Sequence, residues 1–208
     1  PSASAPSWCR CFAADTYAVN PTPRVFVITG PSGVGKGTLI TNLMGRVPNL
    51  ELSISATTRQ PRPGEEHGVE YFFLDQDEFA RRVEAGDFLE YADYSGNRYG
   101  TLRSEVESRV AAGHTVLLEI ELQGARQVRS SMPEAIQVFI APPAIEHLRQ
   151  RLEGRGTDDP AAIEARLKVA EEELEARDEF HHQVINDDIE RATEELERIV
   201  VREVSESP

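Results

Sequence analysis

Lysine is almost absent from this chain of 208 residues: of its 22 basic side chains only Lys36 and Lys168 are lysines, and the rest are arginines. Each lysine therefore needs an individual explanation. Bases are also outnumbered, because 36 acids give a formal net charge of −14. A surface of that sign gains nothing from counterion release on DNA or RNA, which excludes a general nucleic-acid binder unless a local basic patch dominates the field. Long apolar runs are missing too. The longest, residues 25–29 and 115–118, have strand length and fall far short of the roughly 18 to 20 residues of a spanning helix, so no membrane partner is expected. Cysteine occurs only as Cys9 and Cys11. Cysteines so close in sequence are poorly placed to bridge each other, and no further zinc ligands accompany them. Reduced thiols in a loose tail and a reducing, cytoplasmic setting are expected.

Residues 1–23 are rich in Pro, Ser and Ala, show neither strand nor helix periodicity, and read as a disordered leader lacking the apolar core of a secretory signal. From Arg24 onward short apolar runs alternate with amphipathic stretches, the pattern of an α/β domain on a central parallel sheet flanked by helices. Strands are expected at 25–29, 51–55, 115–121, 136–141 and 184–186. Helices are expected at 36–46, 102–112, from 123, near 144–152, at 160–177 and from 189. Between Thr57 and Gly100 the pattern changes: strands at 71–74 and 88–94 flank a helix at 76–85, with Asp75 as N-cap, Glu78 at the capping-box position and Gly86 as its stop. This block reads as an inserted lobe. Further on, Pro142-Pro143 breaks the chain ahead of two helices joined by Gly154-Arg155-Gly156, a flexible joint, with Asp159 capping the second helix. Residues 158–208 hold 17 acids against 6 bases, and Glu171-Glu172-Glu173 among them reads as a solvated face.

Chemistry enters with Gly30-Pro31-Ser32-Gly33-Val34-Gly35-Lys36, which follows the first strand and opens the first helix. That is the context a Gly-x4-Gly-Lys phosphate loop requires. Its glycines let backbone N–H groups turn inward on phosphates, the helix N-terminus adds partial positive charge, and Lys36 reaches the terminal phosphates. The next position is Gly37, where many such loops carry the hydroxyl that binds Mg²⁺, and Thr38 stands one residue late. Either the Thr38 hydroxyl serves instead, or phosphates and water hold the metal. In the inserted block, Arg59 and Arg62 sit in a Pro-restricted loop and suit a phosphate that accepts paired hydrogen bonds.

At this point the chain resembles the guanylate kinases. The resemblance rests on the phosphate loop and on Ser55-Ala56-Thr57-Thr58-Arg59-Gln60-Pro61-Arg62-Pro63-Gly64-Glu65, on Ser95-Gly96-Asn97-Arg98-Tyr99-Gly100-Thr101, which is expected to be a turn, and on the stretch from Leu118 to Gly124. It also rests on Ile140-Ala141-Pro142-Pro143, Arg151-Leu152-Glu153-Gly154-Arg155-Gly156-Thr157 and Val184-Ile185-Asn186-Asp187-Asp188, all in the family's order. It spans about residues 24–203 and implies a P-loop nucleoside monophosphate kinase fold. Core segments 24–54, 102–143 and 168–208, a GMP-binding lobe at 55–101 and a lid at 144–167 are expected.

The resemblance implies roles by matching position. Arg59, Arg62, Tyr71 and Tyr99 would contact the GMP phosphate, and Ser55, Glu90 and Thr101 the guanine. A carboxylate at Glu90 suits the N1–H and 2-amino donors of guanine, an edge that adenine lacks. Glu119 and Glu121 match an acidic pair that helps hold GMP and hydrated Mg²⁺; the second is commonly Asp in the family, so Glu121 departs by one methylene. Gly30 to Thr38 and Asn186 would bind ATP. The implied reaction is transfer of the ATP γ-phosphoryl group to GMP, with Lys36, Arg151, Arg155 and Arg166 supplying positive charge and Mg²⁺ as cofactor. The acceptor is already an anion, so no general base is needed. Two other readings are a guanylate-kinase-like binding module, which would characteristically lose the phosphate loop, and a kinase for another monophosphate, against which Glu90, Ser55 and Thr101 argue. All five histidines read as surface residues, and oligomeric state is left open.

Overall fold

The computed structural model describes residues 22–155 and 159–205. Cys9, Cys11 and nearly all of the expected leader lie outside the described residues, as does Gly156 of the expected joint. The chain begins with β1 (Val25–Thr29), α1 (Lys36–Met44), β2 (Leu50–Leu52), β3 (Ala56–Thr57), β4 (Phe72–Phe73) and α2 (Gln76–Ala85). There follow β5 (Phe88–Tyr94), β6 (Asn97–Leu102), α3 (Arg103–Ala111), β7 (Thr115–Glu119), α4 (Leu122–Ser131) and β8 (Ile136–Ala141). The last elements are α5 (Ile145–Arg155), α6 (Pro160–Glu175), a short 3₁₀ turn at Ala176–Glu179, β9 (His182–Ile185) and α7 (Ile189–Ser205).

Five strands form a parallel sheet in the order β2-β7-β1-β8-β9. Parallel strands covered by helices on both faces carry continuous apolar runs, and all five residues of β1 are buried. Successive side chains point to opposite faces. Phe26 and Ile28 therefore join Leu39, Leu43, Leu196 and Val200 on the α1/α7 side, while Val25 and Val27 join Val106, Val128 and Phe139 on the α3/α4 side. The P-loop and the exit of β7 both lie at the carboxyl ends of the strands, where ligands bind in open α/β sheets.

A second sheet, in the order β4-β3-β6-β5, is mixed and has its own small core of Ala56, Phe79, Phe88 and Leu102. Phe79 and Phe88 stack with centroids 4.5 Å apart, which ties α2 to β5. Helix α2 spans the residues its caps dictate. Asp75 accepts from the Glu78 N–H at 2.7 Å, and Gly86 ends the helix at φ 75°. The capping box is only half formed, because the Glu78 carboxylate engages Arg81 and Arg82.

The structure departs from the sequence pattern in several places, among them the strand expected at 115–121, which ends at Glu119 because Glu121 already caps α4. The expected strand at 51–55 ends at Leu52, where Ser53 still donates to Leu117 O at 2.9 Å but Ile54 turns its N–H to the Glu105 carboxylate at 3.1 Å. The turn expected at 95–101 is confined to Ser95 and Gly96, at φ 50° and 77°, and the rest is strand β6. Two positive-φ residues between paired strands make the tight hairpin that matches strand twist. Helix α5 runs through Gly154 to Arg155 rather than stopping near Leu152. Asp159 caps α6 as its position predicts, accepting from Ala162 N–H at 2.8 Å, with Pro160 at the first helical position.

Candidate active site

The phosphate loop leaves β1 at Gly30 and enters α1 at Gly35, and backbone geometry requires glycine at both positions. Gly30 has φ 145° and its missing Cβ would strike the Ile140 carbonyl; Gly35 has φ 100° and a Cβ there would lie 2.6 Å from Asn186 Nδ2. Lys36 is the first residue of α1. Its half-buried ammonium donates to Gly30 O at 2.6 Å and Pro31 O at 3.4 Å, so the loop holds its own cation in place. Burial pushes the Lys36 ammonium below its ordinary range, opposed by the nearby carboxylates of Glu119, Glu173 and Glu121.

The loop's outer wall is clamped from two distant elements. The Val34 carbonyl accepts from Asn186 Nδ2 at 2.7 Å and from Arg151 Nη1 at 2.8 Å, and Arg151 Nη2 donates to Asn186 O at 2.9 Å. Asn186 is 2% exposed at the end of β9. Arg151 and Asn186, with Thr38, Gly33, Gly35, Gly154 and Ile189, line a cavity of about 400 Å³. Ser32, Gly37 and Thr38 are exposed around it. Arg166 is half-buried on α6, and the Arg155 side chain lies outside the described residues.

On the second sheet, β5 and β6 bring Glu90 beside Thr101. Both are buried, and Thr101 Oγ1 donates to Glu90 Oε1 at 2.7 Å. Burial pushes the Glu90 carboxyl up, and the hydrogen bonds from Thr101 pull it back. Ser55 is half-buried just before β3, and its carbonyl accepts from Phe72 N–H at 2.9 Å. Arg59 is held by a pair of 2.9 Å hydrogen bonds to Glu65, with its guanidinium carbon 5.2 Å from the centroid of the Tyr71 ring. Tyr71 and Tyr99 meet edge to face at 6.1 Å. Arg62 is exposed, and its backbone N–H donates to the same Glu65 carboxylate at 2.7 Å. Glu65, given no role in the sequence reading beyond its place in a motif, is therefore what presets the arginine loop.

Glu119 ends β7, Glu121 is the N-cap of α4, and both are exposed. Helix α6 brings Glu173 against this group. The expectation of a solvated face holds for Glu171 and Glu172, but Glu173 is half-buried and lines, with Glu121, a cleft of about 890 Å³ between α4 and α6. Burial pushes its carboxyl up to about 7, with Lys36 opposing and Glu121 adding to the rise. In the sequence Glu173 is marked only by its place in an acidic run. Two histidines are less peripheral than expected: His114 and His182 are half-buried and pair with Glu51 and Glu203 at 3.1 and 3.0 Å.

Comparison with known proteins agrees with this geometry. The sequence profile of the guanylate kinase family matches residues 22–203. A guanylate kinase of Synechococcus sp. strain CC9311 is 57% identical over 175 residues, covering 84% of this chain and 92% of the relative. One from Streptomyces kasugaensis is 52% identical over 184 residues, covering 88% and 90%. The crystal structure of guanylate kinase from Anaplasma phagocytophilum superposes with a TM-score of 0.69 at 30% identity, covering 90% of this chain and 89% of that one. With a phosphate loop at one end of the parallel sheet, a buried carboxylate–hydroxyl pair on the second sheet and this extent of identity, the chain belongs to the guanylate kinase family.

Proposed function

We propose that the protein transfers the γ-phosphoryl group of ATP to GMP, and to dGMP, giving ADP and the nucleoside diphosphate in purine nucleotide recycling. The observation that carries the base assignment is the buried Glu90–Thr101 pair. A carboxylate whose Oε1 is already satisfied by Thr101 offers its remaining lone pairs to donors of an incoming base. Guanine supplies them at N1–H and the 2-amino group, and adenine leaves them unpaired at a cost. The Ser55 hydroxyl stands at the start of the same sheet. Arg59, Arg62, Tyr71 and Tyr99 take the GMP phosphate, supported by the way Glu65 and Tyr71 fix the Arg59 fork before any ligand arrives.

ATP is taken by Gly30, Pro31, Ser32, Gly33, Val34, Gly35, Lys36, Gly37 and Thr38, with Asn186 on the adenine side. The attacking phosphate oxygen is already anionic, so catalysis consists of alignment and positive charge from Lys36, Arg151, Arg155 and Arg166. Closure of the lobe (55–101) and lid (144–167) on the core excludes water as a competing acceptor.

Among the described residues there is no group of three or more His, Cys, Asp or Glu side chains that could hold a metal by itself. The donors around the phosphate loop and Lys36 are hard oxygens, the Thr38 hydroxyl and the carboxylates of Glu119 and Glu121. That set fits Mg²⁺ carried mainly by phosphates and water, with Thr38 or Glu121 as protein ligands. When bound, Mg²⁺ neutralises charge on the transferred phosphates. Among the described residues no helix is long and apolar enough to cross a membrane.

The test is a coupled assay with ATP and, in turn, GMP, dGMP, AMP, CMP and UMP. Activity confined to GMP and dGMP is the expected result. Equal activity on AMP would remove the guanine assignment, and no activity on any would favour a binding module.

A further inference from the structure

Strand β5 is the edge of the second sheet, yet part of its open side is not free. Helix α4 of the main domain lies along it. Gln127 Oε1 accepts from Tyr91 N–H at 3.1 Å, while its Nε2 donates to Tyr91 O at 2.9 Å. One side-chain amide thus pairs both backbone groups of an edge residue, as a neighbouring strand would. Four residues on, Ser131 Oγ donates to Leu89 O at 2.7 Å. Three residues before Gln127, Gly124 is buried, and a Cβ there would lie 2.9 Å from Glu90 Oε2 and 3.4 Å from its carboxyl carbon. Positions 124, 127 and 131 share one helical face, and that face meets three consecutive residues of β5.

The strand is shaped to receive them. Its pairing with β6 shifts between Phe88, opposite Leu102, and Glu90, opposite Thr101. The bulge sends Phe88 into the small core of the second sheet and Leu89 into the main core. Glu90 follows directly, with its carboxylate against Thr101 and Gly124.

We infer that Gly124, Gln127 and Ser131 form a positioning set through which α4 fixes the Glu90 carboxylate and so sets base selectivity. Gln127 locks the strand's height along the helix, Ser131 holds the bulge, and Gly124 leaves the space that the second carboxylate oxygen and its base partner need. The inference rests on the reading of Glu90 as the guanine acceptor. It extends that reading by placing part of the selectivity on a helix outside the lobe.

Gln127→Ala, Gln127→Glu, Ser131→Ala, Gly124→Ala and, for reference, Glu90→Gln are compared by steady-state kinetics with GMP, AMP and ATP varied, alongside thermal melting. For Gln127→Ala the KM for GMP is expected to rise about tenfold, with kcat within about twofold and the KM for ATP unchanged. Gln127→Glu keeps size and acceptor but turns a carboxylate toward Tyr91 O, and is expected to show the same split. Gly124→Ala is expected to lower the GMP over AMP preference. Should that variant fail to fold, the Gln127 pair still decides. If Glu90→Gln loses selectivity while both Gln127 variants keep the parent KM for GMP, the positioning role is overturned and the base-site reading stands. A parallel rise in both KM values would also overturn it, because that marks general loosening. If Glu90→Gln itself keeps full selectivity, both readings fall together.

Discussion

Thr101 Oγ1 donates to Glu90 Oε1 at 2.7 Å, and both residues are less than a tenth exposed. In the proposed base site this hydroxyl sets which carboxylate oxygen remains for guanine, and its hydrogen bond lowers a carboxyl that burial raises. Glu90→Gln replaces one acceptor with an amide donor facing the N1–H or amino group of guanine. Its kcat/KM for GMP is expected to fall about a hundredfold with the KM for ATP little changed. Thr101→Val keeps shape but removes the donor, and a fall of about tenfold is expected. Initial rates with GMP varied at saturating ATP check both values.

Lys36 is one of two lysines in the chain and is held by the carbonyl oxygens of its own loop. Lys36→Ala is expected to lower kcat by about 10²- to 10³-fold. Its circular dichroism should match the parent, since the ammonium contributes to no core contact. A rate near that of the parent would remove Lys36 from the chemistry.

In the proposed function Glu65 acts on the acceptor side. Its bidentate pair with Arg59 and its bond from the Arg62 N–H hold its carboxyl below the usual range. Glu65→Ala frees the arginine loop, so each GMP phosphate must order it anew. The KM for GMP is expected to rise about three- to tenfold with kcat nearly constant. Full-progress assays at several GMP concentrations separate the two.

Glu173 predicts a pH dependence of stability. Its folded carboxyl titrates at about 7 against an ordinary value of 4.5. Between those values the folded protein keeps a proton that the unfolded chain has lost, so this group's contribution is fully present below pH 4.5 and is lost as pH rises to 7. Lys36 and Glu121 face the same group, and partial exposure reduces the effect to about 1 kcal/mol. Glu173→Gln should therefore gain about 2 to 4 °C more in melting temperature at pH 8 than at pH 5. An equal shift at both pH values would show that Glu173 is solvated when folded.

The parts of the site that could be read from sequence are those built from neighbouring residues. The phosphate loop is contiguous, its glycines and Lys36 are spaced by backbone geometry, and the strand and helix around it follow from apolar periodicity. Helix α2 was legible from its two caps. Glu173 and Gln127 were not, because their roles come from contacts across elements, and Glu65 was not, because its pairing with Arg59 six residues away lies in an irregular loop with no periodicity to reveal it. Gln127 reaches Tyr91 over 36 positions and Glu173 approaches Lys36 from another helix. Glutamines and glutamates on helix faces are otherwise ordinary surface residues. The strand character of β6 is hidden in the sequence, because Asn97-Arg98-Tyr99-Gly100 carries a glycine and no apolar alternation, and its pairing partners lie on β3 and β5.

Residues 88–90 show where this chain can and cannot change length. Three successive side chains enter three environments: the small core around Phe79, the main core and the buried pair with Thr101. Deleting or inserting a single residue there would exchange their destinations and drive a carboxylate into hydrocarbon. Five residues further on, at Ser95-Gly96, the exposed hairpin tip can absorb such a change at little cost. Homologous chains should therefore vary in length at the tip and keep strict register at the bulge.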